Sequence, residues 1–225
     1  MATPRQGYWL VIDGKKTRLP SVTTILSRFK ESGGLLQWAF KQGQEGASHL
    51  YEKRDEAAEC GTLAHEMVEH YVNGADYMGV IKEVEPEKAK QALNAFQMFR
   101  EWQDNNKIEI ISDYQEIQMV SDIYNFGGTP DAIGRNVDGE LVLLDWKTSN
   151  SVYADYLLQL AAYRHLWELN NPEQPITGGF YLCRFSKEFP DFSTHYYGEL
   201  DEAWKMFKLL REAYSIDKVL QKRVK

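Results

Sequence analysis

The chain has little cysteine: Cys60 and Cys183 are the only two in 225 residues. Two thiols cannot complete a four-cysteine zinc site or hold a four-cysteine iron–sulfur cluster. No iron–sulfur cluster is therefore expected, and a reducing compartment is the simplest setting. No run of about 18 apolar residues occurs, so no membrane span and no membrane partner are expected. Residues 1–10 lack the charged start and apolar stretch of a secretory signal, and the Arg- and Ser-rich pattern of an organelle presequence. A cytoplasmic protein is the expectation. Repeats, low-complexity segments and linkers are missing as well. One domain over 1–225 is expected, with a mainly helical part over 1–106, a sheet and helix over 107–200, and a helix with a basic tail over 201–225.

The composition is otherwise ordinary: 43% of residues are hydrophobic. The net charge of −7 argues weakly against nucleic acid, but its distribution argues the other way. Residues 1–30 carry six basic side chains against Asp13 alone, and residues 205–225 carry seven against Glu212 and Asp217. Basic ends around an acidic middle suit a protein that grips phosphates at its edges and cations at its centre. A solvated charge pattern without a partner is the competing reading.

Hydrophobic periodicity predicts the elements. Residues 8–12, the Asp13-Gly14 turn and 16–19 read as a hairpin. Ser21 caps a helix to about Phe29. Gly33-Gly34 break it before a helix over 35–41. Gly61 precedes a helix to about Val72, and Pro86 opens one to about Asn105. Leu93, Phe96, Phe99 and Trp102 share that helix's core face. Strands are expected over 108–111, 114–120, 128–136, 140–148, 176–185 and 192–197, with helices over 155–169 and 199–216. This order predicts an α/β fold: a mixed central β-sheet flanked by helices, with an N-terminal helical elaboration.

The chemistry concentrates in Gly127-Gly128-Thr129-Pro130-Asp131 and Asp145-Trp146-Lys147-Thr148-Ser149. Alternation along a strand puts Asp145 and Lys147 on one face. The turn decides where Asp131 falls. A two-residue loop at Asp138-Gly139 pairs Asp131 with Trp146, on the wrong face. A three-residue loop, Val137-Asp138-Gly139, pairs Asn136 with Glu140 and sets Asp131 opposite Asp145. Glycine at the third loop position favours the second arrangement. Two carboxylates that close repel unless a cation lies between them. A hard ion such as Mg²⁺ or Mn²⁺ suits oxygen ligands and lowers the pKa of a bound water. A buried Asp–Lys–Asp salt bridge is the alternative meaning of any lone D-x-K.

These residues resemble the PD-(D/E)XK nucleases, and among them the RecB-like nuclease domains. Gly61-Thr62-Leu63-Ala64-His65 is similar to the helix that carries a metal-proximal histidine. Gln159-Leu160-Ala161-Ala162-Tyr163 is similar to the Q-x-x-x-Y motif, and Ser21-Val22-Thr23-Thr24-Ile25-Leu26 to an N-terminal segment of that group. Leu144 to Ser149 resembles the mitochondrial genome maintenance exonucleases and their phage and bacterial relatives. The resemblance spans 21–197. It implies a restriction-endonuclease-like core, and Asp131, Asp145 and Lys147 as catalytic residues. It implies metal ligation by His65, Asp131, Asp145 and the Trp146 carbonyl, with Glu116 as a further acid near the site. Gln159, Tyr163, Thr148 and Ser149 would contact or brace the substrate. The implied activity is a Mg²⁺- or Mn²⁺-dependent deoxyribonuclease acting on DNA ends or single strands. Such an enzyme serves DNA repair or recombination, with replication or recombination proteins as further partners and a bacterial or phage source.

Three rival readings remain. His65-Glu66-Met67-Val68-Glu69-His70 suggests a zinc peptidase, but its histidines are five apart where H-E-x-x-H needs four. A binding module that has lost catalysis would lack an acid or the lysine, and neither is missing. A structure-specific endonuclease would be expected to carry a recognition domain, and none is legible. His49, His70, His165 and His195 read as surface or core residues. Trp9, Trp38, Trp102, Trp146, Trp167 and Trp204 read mostly as core. Tyr8, Trp9, Phe29, Trp38 and Phe40 either fill the core or supply stacking surfaces for bases.

Overall fold

The computed structural model describes residues 7–29, 40–41, 43–44, 50–148, 151–187 and 189–224. Side chains of 50–57 are not described. Of the helix expected over 35–41, Phe40 and Lys41 are described and are helical. The rest of it, with Gly33, Gly34 and Trp38, lies outside the described residues.

The chain starts with a hairpin, β1 (Tyr8–Ile12) and β2 (Lys15–Leu19). Asp13 and Gly14 both take positive φ, the backbone twist that matches a two-residue hairpin loop. Helix α1 (Val22–Phe29) follows, and Ser21 Oγ accepts the Thr24 N–H at 2.9 Å as its cap. Next come α2 (Leu50–Val72) and α3 (Pro86–Asn106). Glu85 caps α3 by accepting the N–H groups of Glu87 and Lys88, and Lys107 ends it in the left-handed region.

The remaining elements are β3 (Glu109–Gln115), β4 (Met119–Ser121), β5 (Phe126–Gly128), β6 (Ala132–Arg135), β7 (Leu141–Lys147), α4 (Ala154–Asn170), β8 (Phe180–Phe185), β9 (Phe192–Tyr197) and α5 (Asp201–Arg223). Five strands form one mixed sheet in the order β3-β6-β7-β8-β9, while β4 and β5 pair as a separate ribbon. The β7–β8 pair is parallel, and α4 is the crossover between them.

Strand β7 is buried on both faces, which explains its near-continuous apolar run. Leu141 and Leu143 face a core with α1, α4 and α5. Val142, Leu144 and Trp146 face another with α2 and α3, where Phe96, Phe99 and Trp102 pack as their helical spacing implies. No helix among the described residues is long and apolar enough to cross a membrane.

Five stretches differ from expectation: the strands expected over 108–111 and 114–120 are instead one strand, Glu109–Gln115, and a short one, Met119–Ser121. Helix α2 runs through Gly61 from Leu50 rather than beginning after it. Helix α5 continues to Arg223, so the expected tail is its last turns; no Gly or Pro follows Gly198 to stop it. The strand expected over 128–136 is broken at Thr129-Pro130, where proline has no N–H for a ladder. The strand expected from 176 starts at Phe180, after Gly179 at φ +81°.

Gly134 lies in β6, where an added Cβ would sit 2.9 Å from the Glu109 carbonyl oxygen and 2.9 Å from Ile108 Cγ2. Backbone on one side cannot move aside cheaply. Gly134→Ala is predicted to destabilise the fold by about 1–3 kcal/mol, read as a lower urea midpoint. An unchanged midpoint would mean that β3 and β6 separate more easily than this packing implies.

Candidate active site

The β6–β7 turn builds the centre. Asn136 N–H donates to the Glu140 carbonyl at 3.0 Å, and Asn136 Oδ1 accepts the N–H groups of Asp138 and Glu140. Gly139 takes φ +81°. The loop is therefore the three-residue one, and the ladder runs Arg135 opposite Leu141 through Ala132 opposite Leu144. One step further, Asp131 stands across from Asp145.

Both carboxylates are buried, Asp131 at 8% exposure and Asp145 at 1%. Asp131 Oδ2 accepts the Trp146 N–H at 2.7 Å, and its Oδ1 lies 3.3 Å from Nδ1 of His65. Lys147 Nζ lies 2.5 Å from Asp145 Oδ2 as an ion pair. Lys147 Nζ also stands 4.9 Å from the centre of the Tyr156 ring. The Trp146 indole points to the opposite face of β7, against Phe99 and Trp102. That packing holds Asp145 and Lys147 toward α4.

Glu116 joins from the end of β3. One ligand atom each from His65, Glu116 and Asp131 lie within 4.8 Å of one another. The register between β3 and β6 shifts after Ile110, and Glu116 takes φ +47° while its N–H donates to the Asp131 carbonyl. A left-handed glutamate is uncommon, and here the bend brings its carboxylate to the cluster. Helix α2 brings His65. Its Gly61 leaves room for Thr148, whose Oγ1 would be 2.6 Å from an added Cβ.

On α4, Gln159 Nε2 donates to the Tyr163 hydroxyl at 2.8 Å, and both residues are buried. Gly128 lets that ring approach: an added Cβ would be 2.7 Å from Tyr163 Cε1. Gly127 does the same for Tyr8, whose hydroxyl bonds Thr129 Oγ1 at 2.7 Å. The sequence reading brought Asp131, Asp145, Lys147, His65, Gln159, Tyr163 and Thr148 forward, and the fold gathers them. It missed the anchoring of Tyr8 and the ring of Tyr156, for which no local pattern exists. Ser149 lies outside the described residues. His70 turns to the Asp76 carbonyl instead, so no two-histidine zinc site forms on α2.

The sequence profile of the PD-(D/E)XK nuclease superfamily matches residues 35–223. The chain belongs to this superfamily. No curated protein matches the chain significantly. Among solved structures it is similar to a protein from Eubacterium rectale provisionally named an exonuclease, at 16% identity over 70% of this chain and 68% of that one, with a TM-score of 0.42. It is also similar to the protein SSO0001, at 19% identity over 68% of this chain and 72% of that one, with a TM-score of 0.37.

The donor set of this superfamily member fits a hard divalent cation: the carboxylates of Asp131 and Glu116 and the His65 imidazole lie together, with the buried Asp145 carboxylate on the neighbouring strand. The electrostatics agree. Burial, with the neighbouring Asp131 charge added, raises the Asp145 carboxyl to about 6, against the opposing pull of Lys147. Burial pushes Asp131 the same way, but His65, Lys147 and the Trp146 N–H outweigh it and hold that carboxyl below its ordinary value. Burial would lower the Lys147 ammonium, yet the two carboxylates raise it, so it stays charged. Burial and Asp145 keep the Tyr163 phenol neutral.

Burial alone would lower the His65 imidazole, and the Asp131 charge reverses this, leaving it above 6.5. Asp131→Asn removes that charge and leaves burial in control. The His65 pKa is therefore predicted to fall in the metal-free variant, measured by NMR titration of the imidazole. An unmoved pKa would mean that the two groups do not touch in solution.

Proposed function

We propose that the protein is a metal-dependent DNA nuclease that hydrolyses phosphodiester bonds, with Asp131, Asp145 and Lys147 at its catalytic centre. The observation that carries this reading is the β6–β7 register, which sets the two buried carboxylates opposite each other with an ammonium on the same face. Superfamily membership supports the reaction class. The alternative, a structural Asp–Lys–Asp bridge, leaves the gathering of His65 and Glu116 at the same point unexplained.

Asp131, Asp145, His65 and Glu116 would hold Mg²⁺ or Mn²⁺, with the Trp146 carbonyl as a further ligand. The bound ion supplies an acidified water and positive charge for the phosphate. The chain's own groups do the rest. Lys147 stays protonated beside Asp145 and donates toward the phosphate oxygen where charge develops. Gln159 fixes the Tyr163 hydroxyl, and that neutral phenol remains able to donate at the substrate backbone. Thr148 and Ser149, the next two residues in sequence after the lysine, would contact the substrate.

Lys147→Ala is predicted to lower kcat about 10²- to 10³-fold while leaving DNA binding by the folded protein nearly intact. Cleavage by the wild-type chain is predicted to stop in EDTA and return with Mg²⁺ or Mn²⁺. Full activity in EDTA after stripping would refute metal dependence. A Lys147→Ala variant that unfolds, yet whose folded fraction cuts normally, would return the lysine to a structural role.

The finer reading is an exonuclease acting on DNA ends or single strands, cytoplasmic and serving repair or recombination alongside other replication proteins. It is supported by the likeness of Leu144-Asp145-Trp146-Lys147-Thr148 and of the Ser21 segment to the RecB-like and mitochondrial maintenance exonucleases. A linear single strand is predicted to be degraded far faster than a closed single-stranded circle of the same sequence. Rapid loss of the circle would make the enzyme an endonuclease and leave the metal chemistry untouched.

A further inference from the structure

The pleat of the β1–β2 hairpin sends alternate residues to opposite faces. One face is an anchor. Tyr8 pairs with Leu19 across the strands; Leu19 is buried, and the Tyr8 hydroxyl bonds Thr129. The Pro20 carbonyl accepts the Gly127 N–H at 3.0 Å, which ties the end of the hairpin to β5.

The other face carries two cross-strand pairs, Trp9 opposite Arg18 and Val11 opposite Lys16. All four side chains are exposed. Trp9 is 45% exposed, and Lys16 Nζ stands 5.2 Å from the centre of its ring. Across 7–29 Asp13 is the only acid, against Lys15, Lys16 and Arg18, with Arg28 paired to Asp217. Arg18 also lines a groove of about 560 Å³, together with Tyr8, Ser21, Thr24, Tyr214 and Lys218. The positive surface therefore runs from the hairpin onto α5.

A half-exposed indole with one cation over its ring and another across the strand fits a ligand with flat apolar faces and negative charges at regular intervals. An apolar protein surface would leave the cations without partners. A duplex keeps its base faces stacked inside. A single strand presents both a base face and flanking phosphates.

We propose that the outer face of the β1–β2 hairpin is a docking platform for single-stranded nucleic acid, with Trp9 stacked on a base and Lys16 and Arg18 on the adjoining phosphates. This rests on the nuclease reading and adds where the strand is held outside the cleavage site. Stacking on an aromatic ring tolerates any base, as a processing enzyme requires. Tyr8, the neighbour of Trp9, is fastened to Thr129, two residues before Asp131. A strand seated on the platform is held on the hairpin face opposite Tyr8, so loss of the platform acts on binding and not on the bond-breaking step.

The test uses the full chain in EDTA with a fluorescent oligothymidine strand, followed by anisotropy. Trp9→Ala is expected to weaken binding about tenfold, and Trp9→Phe to restore most of it. The double variant Lys16→Glu, Arg18→Glu is expected to flatten the slope of log affinity against log salt by about 1 or more. Affinity for a blunt duplex of the same length should not depend on Trp9. In Mg²⁺ or Mn²⁺, Trp9→Ala should raise KM for the single strand and leave kcat in place. Unchanged single-strand affinity in a folded Trp9→Ala variant overturns the platform, as does equal weakening for strand and duplex. Trp9-dependent binding without any cleavage would support the platform and count against the nuclease reading, so the two fail separately.

Discussion

Two carboxylates buried side by side impose the organising constraint. Each would cost several kcal/mol if left ionised without partners, and each is met differently. Asp131 receives a main-chain N–H from Trp146 and lies against His65, whereas Asp145 is paired with the Lys147 ammonium. The asymmetry shows in their ionisation, with one carboxyl lowered and the other raised. A pair that titrates in opposite directions is poised to accept a cation, because the ion would relieve the group that pays most for its charge.

Much of the surrounding fold follows from making room for that pair. Helix α2 must lie close enough for His65 to reach Asp131, and Gly61 allows it by leaving Thr148 unobstructed. The Tyr163 ring can stand over the sheet because Gly128 has no side chain, and Tyr8 can anchor the hairpin because Gly127 has none. On the far side, Trp146 is locked among Phe99 and Trp102. Turning β7 over would drive Asp145 and Lys147 into that aromatic core and put the tryptophan where the carboxylates meet. The aromatic layer thus determines which way the chemistry faces.

The hairpin uses the same alternation for two purposes. Tyr8 and Leu19 fasten it inward, so Trp9 and Arg18 must point outward. The choice between Tyr8 and Trp9 as a stacking surface, open at the level of composition, is closed by the hydroxyl's bond to Thr129. Arg28 and Asp217 form a bidentate ion pair between α1 and α5, so the basic C-terminal helix is tied to the segment that follows the hairpin.

Local physics made much of this legible in the sequence. Glycine at 139 selected the loop, the loop selected the register, and the two-residue period put Asp131, Asp145 and Lys147 on one patch. The core face of α3 followed from its spacing in the same way. Element ends were less legible, because Gly61 reads as a helix breaker until Thr148 is seen pressed against it. Glu116 was visible only as an acid near the right strand; the bulge and the left-handed turn that bring it to His65 and Asp131 depend on how β3 meets β6. Turn chemistry and strand periodicity act over a few bonds, so the sequence by itself determined the carboxylate pair and its lysine. His65 and Glu116 were named by resemblance to the family, but their meeting with Asp131, like the exposure of Trp9, was decided only by tertiary packing, because each depends on contacts between segments that lie far apart along the chain.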